Sequence, residues 1–417
     1  MTPAITDERG RPRVAITGMG VKAPGGLTVE ALWDRVYAAD PAAAPLTRLD
    51  VDDVPVTFGC EVAGFDPAGY FNPKEARRVD RATQLGVAAA TDALEDAGDL
   101  AVDPARAAVV IGSGVGGLTT LEDQVGVRIT KGCDRVSPFL VPMMMANATA
   151  GTVAMRFGWT GPCLCVATAC AAGANSLGEA LTLIRAGMAD VAVAGGAEAA
   201  ITPTAVAAFA RMGALSSRHD DPAGASRPFD AERDGFVIGE GAGALVLERL
   251  DRALERGTTV HAVLAGYGAT ADAHHITAPA PGGEGAAACM RNALDDAGLA
   301  PDDVAHINAH GTSTPLNDAT EAEAIVKVFG DDAPPVTSTK GVTGHLIGAA
   351  GAVEAVLATR SLLDEVAPPT ANHETPGEEI AVDVVAGNPR GVGPGAVGSN
   401  SFGFGGHNAS LVVTPAP

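Results

Sequence analysis

DALEDAG at residues 92–98 returns, 200 residues further on, as NALDDAG at 292–298. Each copy closes a helix-period segment on a glycine, the residue best suited to the backbone reversal that stops a helix. Each is followed by a short apolar run and a small-residue turn, AAVVIGSG at 107–114 and VAHINAHGT at 304–312. A second pair keeps the same order: TACAAGANSLGEALTLIRAG at 168–187 and TGHLIGAAGAVEAVLATRSL at 343–362. One Ala-rich helix matches another by chance, but two matches in the same order point to duplication. The boundary falls near Gly257, giving halves 1–256 and 257–417, and the second pair sets Cys170 against His345 as counterparts.

Around these anchors, Val/Ile/Ala-rich runs at 13–17, 107–111, 190–195, 243–248, 258–266, 304–309 and 395–399 read as strands. Helix-period segments lie at 29–38, 83–97, 170–187, 285–298, 318–329 and 348–363. That alternation predicts an α/β fold. Several strands lack polar alternation, as expected where helices cover both faces of a sheet.

The 417 residues are 47% hydrophobic and 19% charged, enough for a large core and unlike a disordered or fibrous chain. Fifty acidic against 28 basic side chains leave a charge of −22, which opposes nonspecific binding to nucleic acid or anionic lipid. Aromatics at 4% argue against stacking platforms for single strands. The opening MTPAITDERGRPR carries charges where a secretory signal needs an apolar core. No run approaches the ~18 apolar residues of a membrane helix. The expected location is the cytoplasm, with no membrane or nucleic-acid partner. Six cysteines (60, 133, 163, 165, 170, 289) follow no small-domain disulfide spacing and read as reduced, buried thiols.

Cys170 stands out, because it follows small residues and opens a helix whose Ala174, Leu177, Leu181 and Ile184 share one face. Unpaired N–H groups at a helix start favour thiolate, which predicts a lowered pKa and a nucleophile. A metal site on Cys163, Cys165 and Cys170 lacks the paired spacing that zinc uses, so no metal is expected. Two histidines sit in unusual settings: His310 in NAHGTSTPLND at a strand end, and His345 in STKGVTGHLIGAAG before a helix. Both are expected in one cleft with Cys170, where neutral imidazoles donate to a developing oxyanion. Lys340 and Glu354 flank His345 among small residues and are expected to form a buried pair that fixes the histidine turn. Asp318 with Glu321 reads as a capping box at a helix start. Near the end, NSFGFGGHN at 400–408 is a glycine loop that exposes Phe402 and Phe404 and is able to present a backbone N–H and swing an aromatic across a pocket. GSGVGG at 112–117 satisfies GxGxxG, yet no acidic residue ends a next strand ~20 residues on, and a nucleotide site is rejected.

Taken together, TACAAG, NAHGTSTPLND, STKGVTGHLIGAAG and NSFGFGGHN resemble the β-ketoacyl-[acyl-carrier-protein] synthases, most closely the type II elongating kind, over essentially the whole chain. The resemblance implies a thiolase-like fold, two duplicated βαβαβαββ halves in a five-layered α-β-α-β-α arrangement. It implies that Cys170 carries an acyl group, with the N–H groups of Cys170 and Phe404 as oxyanion hole. His310 and His345 would then assist decarboxylation of malonyl-acyl carrier protein. Lys340 and Glu354 match positions that order the histidines, Phe404 the gating aromatic, and Val115 and Phe209 the acyl pocket. The chain reads GGHN where many relatives have GGTN, which leaves His407 beside the machinery rather than in it. No cofactor is implied, since substrates arrive on the carrier's phosphopantetheine.

An acidic carrier needs a basic patch on this acidic chain, and Lys74, Arg77, Arg78 and Arg81 supply one candidate, with Arg218 a further residue. The expected assembly is a homodimer, or a heterodimer with a paralogous chain-length factor. Fatty-acid elongation is the first reading, and a polyketide or polyene ketosynthase the alternative. The non-enzymatic partner subunit itself is disfavoured by an intact Cys170 with both histidines. A degradative thiolase is disfavoured because the last cysteine is Cys289.

Overall fold

The computed structural model describes residues 4–417. Ten strands form the framework: β1 (Val14–Lys22), β2 (Ala107–Gly112), β3 (Cys163–Leu164), β4 (Val191–Glu198), β5 (Gly241–Arg249), β6 (Ala262–Ala271), β7 (Val304–Asn308), β8 (Val336–Thr337), β9 (Ala396–Gly403) and β10 (His407–Pro415). They are hydrogen-bonded in the order β8-β7-β9-β10-β6-β1-β5-β4-β2-β3. Strand n of the first five has strand n + 5 as its counterpart on the other side of the β6–β1 seam. The seam itself is narrow: β1 pairs with β6 only from Val14 to Ile16. The duplication therefore appears in the topology as two five-stranded halves, a first and a second sheet joined through this seam.

Nine helices matter here: α1 (Val29–Tyr37), α2 (Arg81–Ala97), α3 (Leu118–Lys131), α4 (Ala148–Phe157), α5 (Ala172–Arg185), α6 (Pro203–Arg211), α7 (Glu284–Ala297), α8 (Pro315–Phe329) and α9 (Ala350–Asp364). Helix α2 covers the outer face of the first sheet and α7 that of the second, while α5 and α9 pack against each other between them. This is the five-layered thiolase-like arrangement. The repeated heptapeptides end α2 and α7, and Gly98 and Gly298 follow in left-handed φ (73° and 71°). Small residues are what let the layers close. A Cβ on Gly18 would lie 2.1 Å from the carbonyl oxygen of Ala93, and one on Gly268 2.1 Å from that of Cys289. In both halves a glycine strand therefore lies directly on the backbone of its helix.

The structure alters several sequence expectations. Helix α8 begins at Pro315 with Thr314 as N-cap, so Asp318 and Glu321 lie inside it and form no capping box. Both carboxylates are buried and turn back to hold the preceding loop: Asp318 accepts from the N–H of Ser313 and Phe229, Glu321 from those of His310 and Gly311. Cys133 and Cys163 are exposed and Cys165 is half-buried, contrary to the expectation of buried thiols, although all six are free. Cys170 belongs to a 3-10 turn, 169–171, ahead of α5, and a matching turn, 347–349, precedes α9. Ala169 and Ile347 share the same strained φ of 49°. The structural counterpart of Cys170 is therefore Gly348, and His345 sits three residues earlier in its own half. Runs of Ala and Gly align equally well in several registers, which is why the sequence match slipped.

Candidate active site

A cavity of about 500 Å³ opens at the C-terminal ends of the central strands and is lined from both halves. At its centre the sulfur of Cys170 and one ring nitrogen each of His310 and His345 all lie within 4.8 Å of one another. The turn after β7 delivers His310, and the loop before α9 delivers His345, anchored by its N–H to Val237 O at 2.8 Å. The two imidazoles meet edge to face with centroids 5.3 Å apart.

Their proton positions follow from their neighbours. Lys340 Nζ donates to His310 O at 2.6 Å, lies 3.3 Å from His310 Nδ1 and forms a buried ion pair with Glu354. A charged ammonium can only donate, so Nδ1 of His310 accepts and Nε2 carries the hydrogen. The N–H of Ile347 donates to His345 Nδ1 at 3.3 Å, with the same result. Burial, then the Lys340 charge, hold both rings well below the ordinary imidazole range, and each also stays neutral. Two neutral Nε2–H donors thus face the cavity. The expected Lys340–Glu354 pair is present, but it grips His310 rather than the His345 turn.

The Cys170 expectation is corrected in one respect. Burial pushes its thiol up to about 11, against the opposing pull of the Phe404 N–H, the Lys340 charge and its own N–H. The residue is 8% exposed, and desolvation outweighs the helix start. The resting sulfur is a thiol. Gly403 allows the Phe404 loop its close approach, since a Cβ there would lie 3.0 Å from Cys170 N. Phe404 lines the cavity, as do Val115 and Phe209. Three further residues bear on the centre and were not singled out as site residues: Glu321 under His310, Phe236 against His345 (5.2 Å) and Phe402 against His310 (6.0 Å). Phe402 was legible only as one of the two aromatics of the glycine loop, and an isolated phenylalanine such as Phe236 carries no sequence signal for such contacts.

The basic residues lie away from the cavity lining. Lys74, Arg77 and Arg78 are exposed, with the Arg78 guanidinium 4.5 Å over the Phe139 ring. Arg81 departs from its expected place in that patch, because its side chain is buried on Glu240 and Val62 O. Arg218 is partly spent on Glu232.

This duplicated α/β frame, with Cys, His and His drawn from both halves, matches known proteins throughout. The model of the β-ketoacyl synthase N-terminal domain matches residues 11–253, and that of the C-terminal domain residues 261–374. The chain belongs to the β-ketoacyl synthase family. Among β-ketoacyl synthases, the 3-oxoacyl-[acyl-carrier-protein] synthase 2 of Synechocystis sp. is 46% identical over 406 residues, 96% of this chain and 97% of that protein. That of Coxiella burnetii is 43% identical over 407 residues, with coverages of 96% and 98%. The ishigamide ketosynthase/chain length factor structure superposes with a TM-score of 0.92 at 36% identity, covering 98% of this chain and 100% of that one. A type II polyketide ketosynthase in complex with its acyl-carrier protein, AntDE:AntF, gives 0.90 at 31%, with the same coverages.

Proposed function

We propose that the protein catalyses the decarboxylating condensation of an acyl group with malonyl-acyl carrier protein, giving 3-oxoacyl-acyl carrier protein in fatty-acid elongation. The observation that carries this reading is one sulfur beside two imidazoles whose tautomers are fixed as Nε2–H donors. Cys170 attacks the acyl thioester while the N–H groups of Cys170 and Phe404 receive the oxyanion. The thiol proton ends on the departing carrier thiolate. Malonyl carrier protein then binds, and His310 and His345 donate to its thioester oxygen as the C–C bond to the carboxylate breaks and carbon dioxide leaves. The resulting enolate attacks the acyl-cysteine, the C–S bond to Cys170 breaks, and the expelled thiolate takes a proton from solvent, its own having left with the first carrier thiol. Decarboxylation creates the carbanion, so no strong base is needed and neutral histidines suffice.

The relatives called 3-oxoacyl-[acyl-carrier-protein] synthase 2 are more similar to this chain than the polyketide ketosynthases are, which favours elongation over the polyketide alternative. No cofactor takes part in this scheme. The carrier docks on Lys74, Arg77 and Arg78, and a second copy of the chain packs on the first half. Val125, Ile129, Val141 and Met155 are exposed apolar side chains, and α4, which carries Met155, packs against the edge strand β3. No helix is long and apolar enough to cross a membrane among the described residues; a cytoplasmic setting suits carrier-borne substrates.

The test is incubation with acyl and malonyl carrier proteins of graded acyl length, followed by intact-mass analysis. An acyl adduct confined to Cys170, discharged with release of carbon dioxide on adding malonyl carrier, is expected. Absence of the adduct overturns the reading.

A further inference from the structure

Glu198 ends β4 completely buried, and no ion pair reaches it among the described residues. Its carboxylate instead accepts from Gly114 N at 2.6 Å, Ser113 Oγ at 3.0 Å and Gly348 N at 3.2 Å. The first two donors belong to the loop after β2 and the third to the turn before α9, so the contact joins the halves. There is no slack in it, since a Cβ on either Gly114 or Gly348 would lie 2.7 Å from Oε2.

Two consequences follow from the structural register. Gly348 is the counterpart of Cys170, so its N–H corresponds to the one that faces the thioester oxygen in the working site. In the second half that anion position is filled from within by Glu198. The clasped segments also lie on the cavity: Gly114 and Val115 form part of its wall, and Ile347 lies against Gly114. Ile347 is in turn the residue whose N–H holds His345 Nδ1.

We infer that Glu198 is a positioning residue whose carboxylate clasps the Gly114–Val115 wall to the Ile347–Gly348 turn, setting the width of the acyl branch and the seat of His345. The inference rests on the condensing function proposed above. Burial pushes the Glu198 carboxyl up to about 7, so its neutral form is accessible near neutrality. A neutral amide would still offer one oxygen to the two N–H groups, and Ser113 Oγ, which already accepts from Gly116 N at 2.9 Å, could accept from the amide instead. Glu198→Gln should therefore keep the clasp that Glu198→Ala removes.

The readout is the ratio of kcat/KM for a long acyl carrier donor to that for a short one, which does not depend on the fraction of enzyme that is folded. For Glu198→Ala the ratio should fall about tenfold, and Glu198→Gln should restore it to within about twofold of wild type. Ser113→Ala, which removes one donor, should move the ratio in the same direction by less, and carries the comparison if the Ala variant does not fold. A ratio unchanged in Glu198→Ala, or in Ser113→Ala where that variant stands in for it, overturns the clasp, as does a Gln variant no better than Ala. Failure of the wild-type protein to condense any donor strikes the underlying function instead.

Discussion

His310 and His345 are both neutral Nε2–H donors, and neither is aimed at activating the sulfur. His310→Ala or His345→Ala should therefore abolish release of carbon dioxide from malonyl carrier protein while Cys170 is still acylated. Equal loss of acylation in both variants would falsify that division. The sulfur makes a second expectation. A thiol held near 11 is protonated across the neutral range, so its alkylation by iodoacetamide should still be accelerating at pH 9. A rate that levels off below pH 8 would show that the helix start prevails over burial. That Cys170, His310 and His345 meet in one cavity was legible in the sequence because rare, reactive side chains stood among small ones. Their protonation was not, because it depends on burial and on neighbours such as Lys340 that only the fold brings in. Arg81 teaches the same lesson: a buried partner 159 residues away, Glu240, removes it from a patch that its local spacing had suggested.

The echoed helices and strands were readable because duplication repeats their punctuation, including the glycines that end α2 and α7. Their packing can be tested directly. Gly18→Ala or Gly268→Ala places a methyl against a backbone carbonyl that cannot move alone, and should destabilise the protein by about 3 kcal/mol, measured as a shift in its urea unfolding midpoint. An unchanged midpoint would mean that the strand and helix can separate. Helices α3, α4 and α6 were missed. In α3, Leu121, Val125 and Ile129 form a stripe that is exposed rather than buried in the core, and only Thr120 is buried. A pattern aimed away from the chain's own interior is hard to interpret before the interior is known. The three-residue slip between Cys170 and His345 has a related origin, since small-residue helices constrain register weakly until strained residues such as Ala169 and Ile347 mark it.

For the molecule as a whole, buried titratable groups shape its response to pH. His306, pushed down to about 3, and His310 and His345, also lowered, stay neutral when folded. Their contribution is complete above the unfolded value near 6.5 and is lost as pH falls toward the folded values. Glu198 and Glu321, both pushed up to about 7, act oppositely: their contribution is complete below about 4.5 and is lost as pH rises through 7. Stability should therefore change little between pH 7 and 5 and fall steeply below about 4.5, where the histidines still lose their contribution and carboxylates held low begin to lose theirs. Asp230 is one of these, kept at about 2 against burial by the N–H groups of Thr375, Glu232 and Glu374 and by Arg227. A urea midpoint that declines steadily from pH 7 would contradict this balance. At the surface, Arg77→Glu with Arg78→Glu should raise the KM for acyl carrier protein without slowing Cys170 acylation by a small thioester. Ile129→Asp with Met155→Asp should yield a monomer in sedimentation, and a dimer that persists would place its interface elsewhere.

The cavity draws its sulfur from one repeat and its imidazoles from the other, and the clasp at Glu198 likewise takes donors from both. Neither repeat can inherit the chemistry alone. Produced as two separate polypeptides divided after Arg256, the protein would behave as a complementation pair, silent apart and active only on reassembly.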